Sequence, residues 1–276
     1  MKALKKKKVL ITGGARGIGK QIALEFAKQG ADIIICDLDK SFFNENEFKE
    51  NIKEIEEIGV SCYGFYLDVT KYEDVVRERK LILDLAGKID VLVNNAGVVF
   101  GGDFLEIPIE KHQLTYDVNI HGIINMLHVF LQDLMDQPTA HIVNISSASG
   151  FIPLPGGSTY ASSKAAVTSL SESLNAELKK EGNGHVGMTI VCPGYVQTGM
   201  FDGAKDPILV PILTPEKLAK KIVKAVQKNK RFVLEPTFIK FLPFIKGVSP
   251  QFVLDFFGHV MGVNRSMDLW RGHSKN

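Results

Sequence analysis

The amino-acid sequence predicts an α/β domain built on a doubly wound, seven-stranded parallel sheet, and three observations lead to that class. Seven short runs rich in β-branched residues alternate with longer segments that carry apolar residues at three- and four-residue steps. No stretch rich in Pro, Gly or Ser divides the 276 residues, so a single domain is expected. Hydrophobic residues make up 45% of the chain and charged residues 23%, which is typical of a protein with a packed core.

The predicted strands and helices alternate along the chain. The strands are expected at KVLIT, DIIICD, SCYGFYLDV, DVLVNNAG, HIVNIS, GMTIVCP and RFVLE. The helices are expected at IGKQIALEFAKQ, ENEFKENIKEIEEI, YEDVVRERKLILDLA, residues 109–135, YASSKAAVTSLSESLNAELKKE and PEKLAKKIVKAVQ. This alternation places helices on both faces of a parallel sheet. Such sheets bind ligands beyond the carboxyl ends of their strands, so functional motifs are expected there.

The first strand ends in a glycine-rich turn, TGGARGIG, which begins at Thr12 and leads into a helix near Ile18. Gly13, Gly17 and Gly19 permit positive φ angles and a close approach of the backbone to a ligand. The following helix offers its first N–H groups and a partial positive charge to a pyrophosphate. Because the turn lies between the first strand and the first helix, it predicts a dinucleotide site of the Rossmann type.

The second strand ends at Asp37, eighteen residues after Gly19. A carboxylate at this place accepts hydrogen bonds from ribose hydroxyls and repels a 2′-phosphate, so NAD is expected as the cofactor. Arg16 and Lys40 are cations that would favour the phosphate, so NADP stays open as the alternative.

The third and fourth strands end in motifs that suit the rest of a dinucleotide. Asp68 is expected to accept a hydrogen bond from the adenine amino group and Val69 to lie against the ring. Capping of the next helix is the alternative role for Asp68. In NNAG, small residues let the backbone run beside a flat cofactor, although turn chemistry alone would explain them. The cofactor contacts expected there are Asn95, Ala96 and Gly97.

The fifth strand ends at Ser146 and Ser147, and the motif YASSK follows. Tyr160 and Lys164 are four residues apart, so they share one helix face, where the ammonium is expected to lower the pKa of the phenol. Ser147, thirteen residues before Tyr160, is placed to hold a carbonyl oxygen while Tyr160 donates a proton. Lys164 is also expected to bind the nicotinamide ribose, and Ser146 is interpreted as structural.

In combination, these motifs resemble the short-chain dehydrogenase/reductase family. TGGARGIG, LDV, NNAG, the asparagine of YDVNIHG, ISSASG, YASSK and PGYVQT follow one another in the family's order over some two thirds of the chain. The resemblance implies a catalytic tetrad in which Asn119 supports a bound water that relays protons to Lys164. Its members would be Asn119, Ser147, Tyr160 and Lys164.

The resemblance also assigns the PGYVQT motif after the sixth strand. It implies that Val196 and Thr198 hold the nicotinamide carboxamide, with Pro193 and Gly194 beside the cofactor. A substrate flap is expected over residues 198–213, and its apolar half favours an apolar ligand. By the same resemblance, a homodimer or homotetramer is expected, assembled through the helices of the tetrad.

Aromatic residues concentrate near the end of the chain, where seven of the seventeen phenylalanines fall between Phe232 and Phe257. Ser249 and Pro250 are typical of an N-cap and a first helical residue, and an apolar helical stripe follows them. Three roles remain open for this stripe: packing on the domain or a partner subunit, a wall of the substrate pocket, and a shallow membrane anchor. The polar tail after it, MGVNRSMDLWRGHSKN at residues 261–276, is interpreted as a surface extension.

Composition excludes several other classes. A formal net charge of +2 is too small to argue for a nucleic-acid partner. Cys36, Cys62 and Cys192 lie in apolar stretches without Cys-x-x-Cys spacing, so buried thiols in a reducing compartment are expected. No histidine cluster has metal-ligand spacing, so no metal is expected. Without a signal-peptide pattern or an apolar run of eighteen residues, a cytoplasmic protein, at most peripherally bound to membranes, is expected.

We therefore expect a catalytic, dinucleotide-binding domain over residues 1–235 and an aromatic helical extension over residues 236–276 packed on it. The extension resembles that of the subgroup of the family that acts on retinoids, 17-hydroxysteroids and other lipid alcohols. The predicted activity is hydride transfer between NAD(H) and a hydrophobic alcohol or carbonyl, with Tyr160 as general acid and base. Alternatives are an NADPH-dependent 3-oxoacyl thioester reductase and, from another class, a non-catalytic dinucleotide-sensing protein.

Overall fold

One parallel sheet with helices on both faces forms the centre of the protein, so the predicted fold class is confirmed. The computed structural model describes residues 1–38, 47–200 and 212–250, together with Phe252, Met267 and Trp270. Within these residues the sheet has seven strands, the number that the sequence predicts. They are β1 (Lys8–Thr12), β2 (Asp32–Asp37), β3 (Cys62–Tyr66), β4 (Val91–Asn94), β5 (Ala140–Ile145), β6 (Val186–Pro193) and β7 (Phe232–Glu235).

The helices up to α7 begin and end close to their predicted bounds, whereas α8 was not predicted. The helices are α1 (Gly17–Lys28), α2 (Glu47–Glu56), α3 (Tyr72–Leu85), α4 (Ile109–Tyr116), α5 (Gly122–Met135), α6 (Ser158–Lys180), α7 (Pro215–Gln227) and α8 (Leu242–Val248). The predicted helix over residues 109–135 contains a π-helical turn, Asp117–His121, between α4 and α5. Ser249 follows α8 in an extended conformation, and the helix expected after it lies outside the described residues apart from Phe252.

The strand order across the sheet is β3-β2-β1-β4-β5-β6-β7, and all paired strands run parallel. The chain therefore builds outward from β1 to β3 and then returns to the other side of β1 to add β4. Strand order reverses between β1 and β4, and open α/β sheets bind their ligands in the crevice at such a point. The carboxyl ends of β1, β4 and β5 are thus the place to look for a site.

Alternate residues of the buried strands supply two cores, one on each face of the sheet. Ile33 and Ile35 of β2 face the helices α1, α2 and α7, whereas Ile34 faces α3, α5 and α6. Phe26 fills the first core and Phe130 the second, and both side chains are fully buried. Burial on both faces explains why the strands read as nearly continuous apolar runs.

The three cysteines have free thiols and are buried, as the sequence predicts. Burial raises the pKa of both the Cys62 and the Cys192 thiols to about 12, so neither is a thiolate at neutral pH. No helix among the residues that the structure describes is long and apolar enough to cross a lipid bilayer.

A chain of buried side-chain hydrogen bonds joins the sheet to α6. The Asn94 amide donates to Asn144 Oδ1 at 2.8 Å, and the Asn144 amide donates to the Ser171 hydroxyl at 2.8 Å. Ser171 in turn donates to the backbone oxygen of Val167 at 2.6 Å. Asn144 and Ser171 have no solvent exposure, so these bonds fix α6 over β4 and β5 without competition from water.

Replacement of Ser171 by alanine tests this chain. Ser171→Ala leaves the buried Asn144 amide without its acceptor, so we expect the free energy of unfolding to fall by about 1–3 kcal/mol in urea titrations. Ser173→Ala is the matched control, because Ser173 is exposed on the same helix and shares the small gain in helix propensity. Equal stabilities for the two variants would contradict this account of α6.

Candidate active site

Helix α6 carries the YASSK motif and is tied to the carboxyl end of β5. The Ser146 hydroxyl donates to the backbone oxygen of Lys164 at 2.7 Å and lies 2.8 Å from the Thr168 hydroxyl. The Lys164 ammonium donates to the backbone oxygen of Ile145 at 2.9 Å. The Ser146 hydroxyl is thus engaged in holding the helix, which agrees with its interpretation as a structural residue.

Tyr160 and Lys164 lie side by side, as their spacing predicts. The Lys164 Nζ atom is 5.6 Å from the centroid of the Tyr160 ring, and both side chains are buried. Burial lowers the pKa of Lys164 to about 8, because charge is disfavoured away from water. A buried phenol and a buried ammonium therefore share the face of α6 that meets the end of β5.

The expectation that Lys164 lowers the pKa of Tyr160 is not met in this structure. Burial raises the pKa of the phenol to about 12, and a hydrogen bond with Ser147 opposes that rise only in part. The ammonium of Lys164 points at a backbone carbonyl of β5, and its own positive charge is weakened by burial. The phenol is thus a neutral proton donor at physiological pH.

Ser147 reaches the same place from the end of β5. Its hydroxyl hydrogen-bonds the Tyr160 phenol and accepts from the backbone N–H of Ser149 at 3.2 Å and from the Ser149 hydroxyl at 3.0 Å. These bonds fix the position of the Ser147 oxygen. The structure therefore brings together the two hydroxyls that the sequence assigns to a substrate oxygen.

Asn119 lies in the π-helical turn and has no solvent exposure. Its Oδ1 accepts from the backbone N–H of Val98 at 2.9 Å, and its Nδ2 donates to the Val98 oxygen and to the Ser163 hydroxyl, each at 3.0 Å. The side chain therefore clamps the loop after β4 to α6. The expected role of Asn119 in supporting a water next to Lys164 stays a prediction.

The glycine-rich turn has the backbone geometry that the sequence predicts. Gly13 and Gly17 have φ angles of 62° and 57°, a conformation that L side chains rarely adopt. A Cβ at Gly19 would overlap the carbonyl oxygen of Gly13, so the turn packs tightly against α1. Arg16 is exposed at the N-cap of α1 and does not cap the first turn with its own side chain, while Ile18 packs on the core.

Thr12 and Asn95 connect the two strands that flank the reversal of strand order. The Thr12 hydroxyl accepts from the backbone N–H groups of Asn95 and Ala96, both at 3.1 Å. The Asn95 amide donates to the backbone oxygens of Thr12 and Gly13 at 3.0 and 2.8 Å. This reciprocal bracing was not predicted, because it joins residues that lie 83 apart in the chain.

Asp37 lies where β2 ends beside the glycine-rich turn. Its carboxylate accepts from the backbone N–H groups of Ala15 at 3.0 Å and Leu38 at 2.8 Å. These bonds brace the turn and hold the carboxylate at the carboxyl end of β2, where the sequence predicts the adenosine ribose. Lys40, the other cation considered for a phosphate, lies outside the described residues.

Asp68 and Val69 are held in the turn after β3. The Asp68 carboxylate accepts from the backbone N–H of Thr70 at 3.0 Å and from its hydroxyl at 2.7 Å. Capping of α3 by Asp68 is ruled out, because the N-cap residue of that helix is Lys71. Val69 is buried and packs against Gly122, where an added Cβ would approach its side chain to 2.7 Å.

The end of β6 and the segment after it run beside the site, while their expected contacts with a cofactor stay a prediction. The backbone oxygen of Pro193 lies 3.5 Å from the Ser147 hydroxyl, and the N–H of Gly194 donates to the oxygen of Glu235 at 2.7 Å. Thr198 faces the start of α1, since a Cβ at Gly17 would lie 3.5 Å from its Cβ.

Val196 pairs with Leu213, so the two ends of the predicted flap are adjacent, while residues 201–211 of that flap lie outside the described part of the chain.

Met267 and Trp270 also lie at the reacting end, by which we mean the carboxyl end of β5 where Ser147 and Tyr160 meet. Sequence analysis missed both residues. The tail was interpreted as a surface extension, which is wrong for these two residues. Met267 is 5% exposed and packs with Val99, Leu154 and Tyr160, while Trp270 borders the same cluster. The only signal in the sequence is the presence of a methionine and the sole tryptophan in an otherwise polar segment.

The arrangement defines a dinucleotide-dependent oxidoreductase, because a ligand at the reversal of strand order would face a proton donor at the end of β5. The residues fit such a ligand. Gly97 keeps the space between Asn119 and Lys164 open: an added Cβ would lie 3.2 Å from Asn119 Oδ1 and 3.4 Å from Lys164 Nζ. The first turn of α1 suits the pyrophosphate.

Comparison with known proteins agrees with this class. A sequence profile of the short chain dehydrogenase family matches residues 7–208. The chain is 32% identical to epidermal retinol dehydrogenase 2 of Mus musculus over 270 residues, which cover 97% of this chain and 86% of the mouse protein. The crystal structure of a short chain dehydrogenase/reductase from Burkholderia phymatum in complex with NAD has a TM-score of 0.78 and 25% identity over 88% of this chain and 93% of that one.

An alcohol dehydrogenase from the archaeon Thermococcus sibiricus, complexed with 5-hydroxy-NADP, has a TM-score of 0.71 and 27% identity over 82% of this chain and 94% of that one. The chain belongs to the short-chain dehydrogenase/reductase family, as its motifs predicted, and is an NAD(P)-dependent oxidoreductase. The two structural relatives bind different dinucleotides, so the likeness supports a nicotinamide dinucleotide in general.

The lowered pKa of Lys164 predicts a pH-dependent contribution to stability. Between pH 8 and the ordinary lysine value of 10.5, the unfolded chain holds a proton that the folded protein has released, so the free energy of unfolding rises with pH. Lys164→Met removes this contribution. We expect the stability difference, wild type minus variant, to grow by about 2 kcal/mol from pH 8 to pH 10 in urea titrations.

Lys180→Met is the control for this measurement, since Lys180 is exposed near the end of the same helix. Its stability difference from the wild type should stay constant over this pH range. A constant difference for Lys164→Met as well would mean that the ammonium is not desolvated as described.

Proposed function

We propose that the protein transfers hydride reversibly between NAD(H) and a hydrophobic alcohol or carbonyl of the lipid, retinoid or steroid type. The observation that carries this proposal is the convergence of Ser147, Tyr160 and Lys164 at the end of β5, beside the crevice that the glycine-rich turn borders. Bound nicotinamide would supply or accept the hydride.

In the direction of carbonyl reduction, the Ser147 hydroxyl donates a hydrogen bond to the carbonyl oxygen and polarises the bond. Tyr160 gives the phenolic proton to the same oxygen, and its raised pKa keeps that proton available at physiological pH. Lys164 carries a positive charge below about pH 8 and lies beside the phenolate that remains, with its Nζ 5.6 Å from the centroid of the ring. In alcohol oxidation Tyr160 takes the hydroxyl proton instead.

NAD is the proposed cofactor, and the position of Asp37 supports it. The carboxylate lies beside the glycine-rich turn through its bond with Ala15, where it would meet the adenosine ribose. A phosphate on that ribose would be repelled by the negative charge. Arg16 lies within this turn and is exposed, and its positive charge would favour NADP instead.

The apolar character of the substrate has separate support. The aromatic ring of Tyr160 belongs to a cluster with the buried side chains of Val99, Leu154 and Met267, so the surroundings of the phenol are apolar. The relative in Mus musculus is named a retinol dehydrogenase. A substrate that brings apolar substituents to the phenol would keep water from this cluster.

The first test is the rate of NADH formation from NAD and of NADPH formation from NADP, with primary and secondary alcohols of rising chain length, steroids and retinol. We expect kcat/KM to rise with apolar bulk and to be higher with NAD. Tyr160→Phe should lower kcat by at least about a hundredfold while NADH binding persists, because only the general acid and base is removed.

Three outcomes would replace the proposal with a named alternative. A preference for NADP would contradict the preference for NAD that we infer from Asp37. Turnover confined to 3-oxoacyl thioesters would favour the reductase. Binding of NADH without turnover of any alcohol or carbonyl, in a folded protein, would favour a dinucleotide sensor.

We also propose that the segment after β7 touches a lipid surface of negative charge. Lys240 and Lys246 are exposed within this segment and would attract such a surface. The segment follows the carboxyl end of β7, so it lies at the same edge of the sheet as the site, and contact there would deliver an apolar alcohol directly. The large exposed apolar side chains that the structure describes in this segment are Phe238, Phe241, Phe244, Val248 and Phe252.

Co-sedimentation with vesicles that contain anionic phospholipid tests this contact. We expect the variant Phe241→Ser/Phe244→Ser to lose most of its bound fraction, because the two phenyl rings are 58% and 69% exposed and are available to insert. Leu85→Ser is the control, since Leu85 is 64% exposed at the end of α3, near the opposite edge of the sheet. Equal binding by both variants would exclude the segment as the lipid contact.

A further inference from the structure

Met267 and Trp270 lie on the loops that border the reacting end, although they follow Tyr160 by more than a hundred residues. Met267 is buried in the cluster of Val99, Leu154 and Tyr160. The backbone N–H of Trp270 donates to the oxygen of Met267 at 3.0 Å, so a turn presents the two side chains together. The tail therefore contributes directly to the surroundings of the phenol.

Two glycines give the tail side chains a flat surface on which to lie. A Cβ at Gly101 would come within 2.8 Å of Met267 Cε and 2.9 Å of Trp270 Cδ2, and one at Gly156 within 2.9 Å of Met267 Cβ. The N–H of Gly102 donates to the oxygen of Gly156 at 3.0 Å, which joins the two loops into one surface. Any side chain at either glycine would displace the tail.

The indole of Trp270 also binds the start of the predicted flap. Its Nε1 donates to the backbone oxygen of Met200 at 3.1 Å. Met200 precedes the flap residues that are not described and itself packs against the cluster around Tyr160. The tail thus contacts three borders of the site: the loop after β4, the loop before α6 and the segment after β6.

We propose that Met267 and Trp270 are specificity-determining residues that form an apolar wall of the substrate pocket beside Tyr160. This inference rests on the proposed alcohol dehydrogenase function and deepens it. The substrate must place its oxygen within hydrogen-bond distance of the phenol. The substituents on the reacting carbon would therefore lie against the cluster that contains Met267. The thioether and the indole select alcohols with an extended apolar chain or ring that packs along them.

Kinetic selectivity is the first measurement. The ratio of kcat/KM for a ten-carbon primary alcohol to that for a three-carbon alcohol reports on contacts with the apolar chain, because both alcohols use the same catalytic groups. We expect Met267→Ala to lower this ratio at least about fivefold, with little change for the shorter alcohol. Gly101→Ala should lower it at least about tenfold, since its methyl group would displace both tail side chains.

Gly184→Ala is the matched control. Gly184 and Gly101 both lie outside the left-handed region of φ, so an alanine strains neither backbone, and a Cβ at Gly184 would meet only Lys179 Cγ, at 3.9 Å. The selectivity ratio of this variant should equal that of the wild type. An unchanged ratio in both Met267→Ala and Gly101→Ala would contradict the proposal that Met267 and Trp270 form a wall of the substrate pocket. It would not contradict the proposed alcohol dehydrogenase function.

Fluorescence gives a readout that does not depend on turnover, because Trp270 is the only tryptophan in the chain. We expect the emission maximum to shift to longer wavelength in Gly101→Ala and not in Gly184→Ala, since displacement exposes the indole to water. With NADH bound, addition of decanol should change the emission of the wild type.

This second readout separates the two proposals. If no alcohol is oxidised, the proposed function is wrong, and the change in Trp270 emission on addition of decanol then tests the proposed wall by itself. Absence of any such change would contradict the proposal that Met267 and Trp270 line the substrate pocket.

Discussion

The reacting end of this protein depends on the way in which α6 is fixed to the carboxyl end of β5. The Ser146 hydroxyl donates to the backbone of Lys164, and the Lys164 ammonium donates to the backbone of Ile145. About two turns further along α6, the Asn144 amide donates to Ser171. All of these bonds are buried, so water does not compete with them. Because Ser147 continues the same strand, the strand and the helix bring the serine hydroxyl and the phenol together. The arrangement of the serine hydroxyl and the phenol is therefore a property of the strand-to-helix junction.

The same burial that fixes the geometry also sets the protonation states. Removal from water raises the pKa of Tyr160 and lowers that of Lys164, so the phenol keeps its proton and the ammonium holds its charge less firmly. The phenol ring also belongs to an apolar cluster that includes Met267.

The cofactor end is organised by a second constraint, the reversal of strand order between β1 and β4. Thr12 and Asn95 brace the two strand ends across this reversal, and the positive φ angles at Gly13 and Gly17 turn the chain into α1. Asp37 binds the same turn from the end of β2. The carboxyl end of the sheet therefore carries both the glycine-rich turn and, through β5 and α6, the phenol of Tyr160, so the proposed cofactor and substrate would lie next to each other there.

Local periodicity was sufficient to predict the seven strands, most helix bounds, the glycine-rich turn and the shared face of Tyr160 and Lys164, because each depends on residues within a few positions of one another. The motifs that identified the family are also short, so each of them could be recognised from neighbouring residues. Only the tertiary structure decided that Met267 and Trp270 reach the cluster around the phenol, that Thr12 braces Asn95, and that burial raises the pKa of Tyr160. These features arise from contacts between residues far apart in the chain and from desolvation, which depends on everything packed around a group, and no local pattern records either of them.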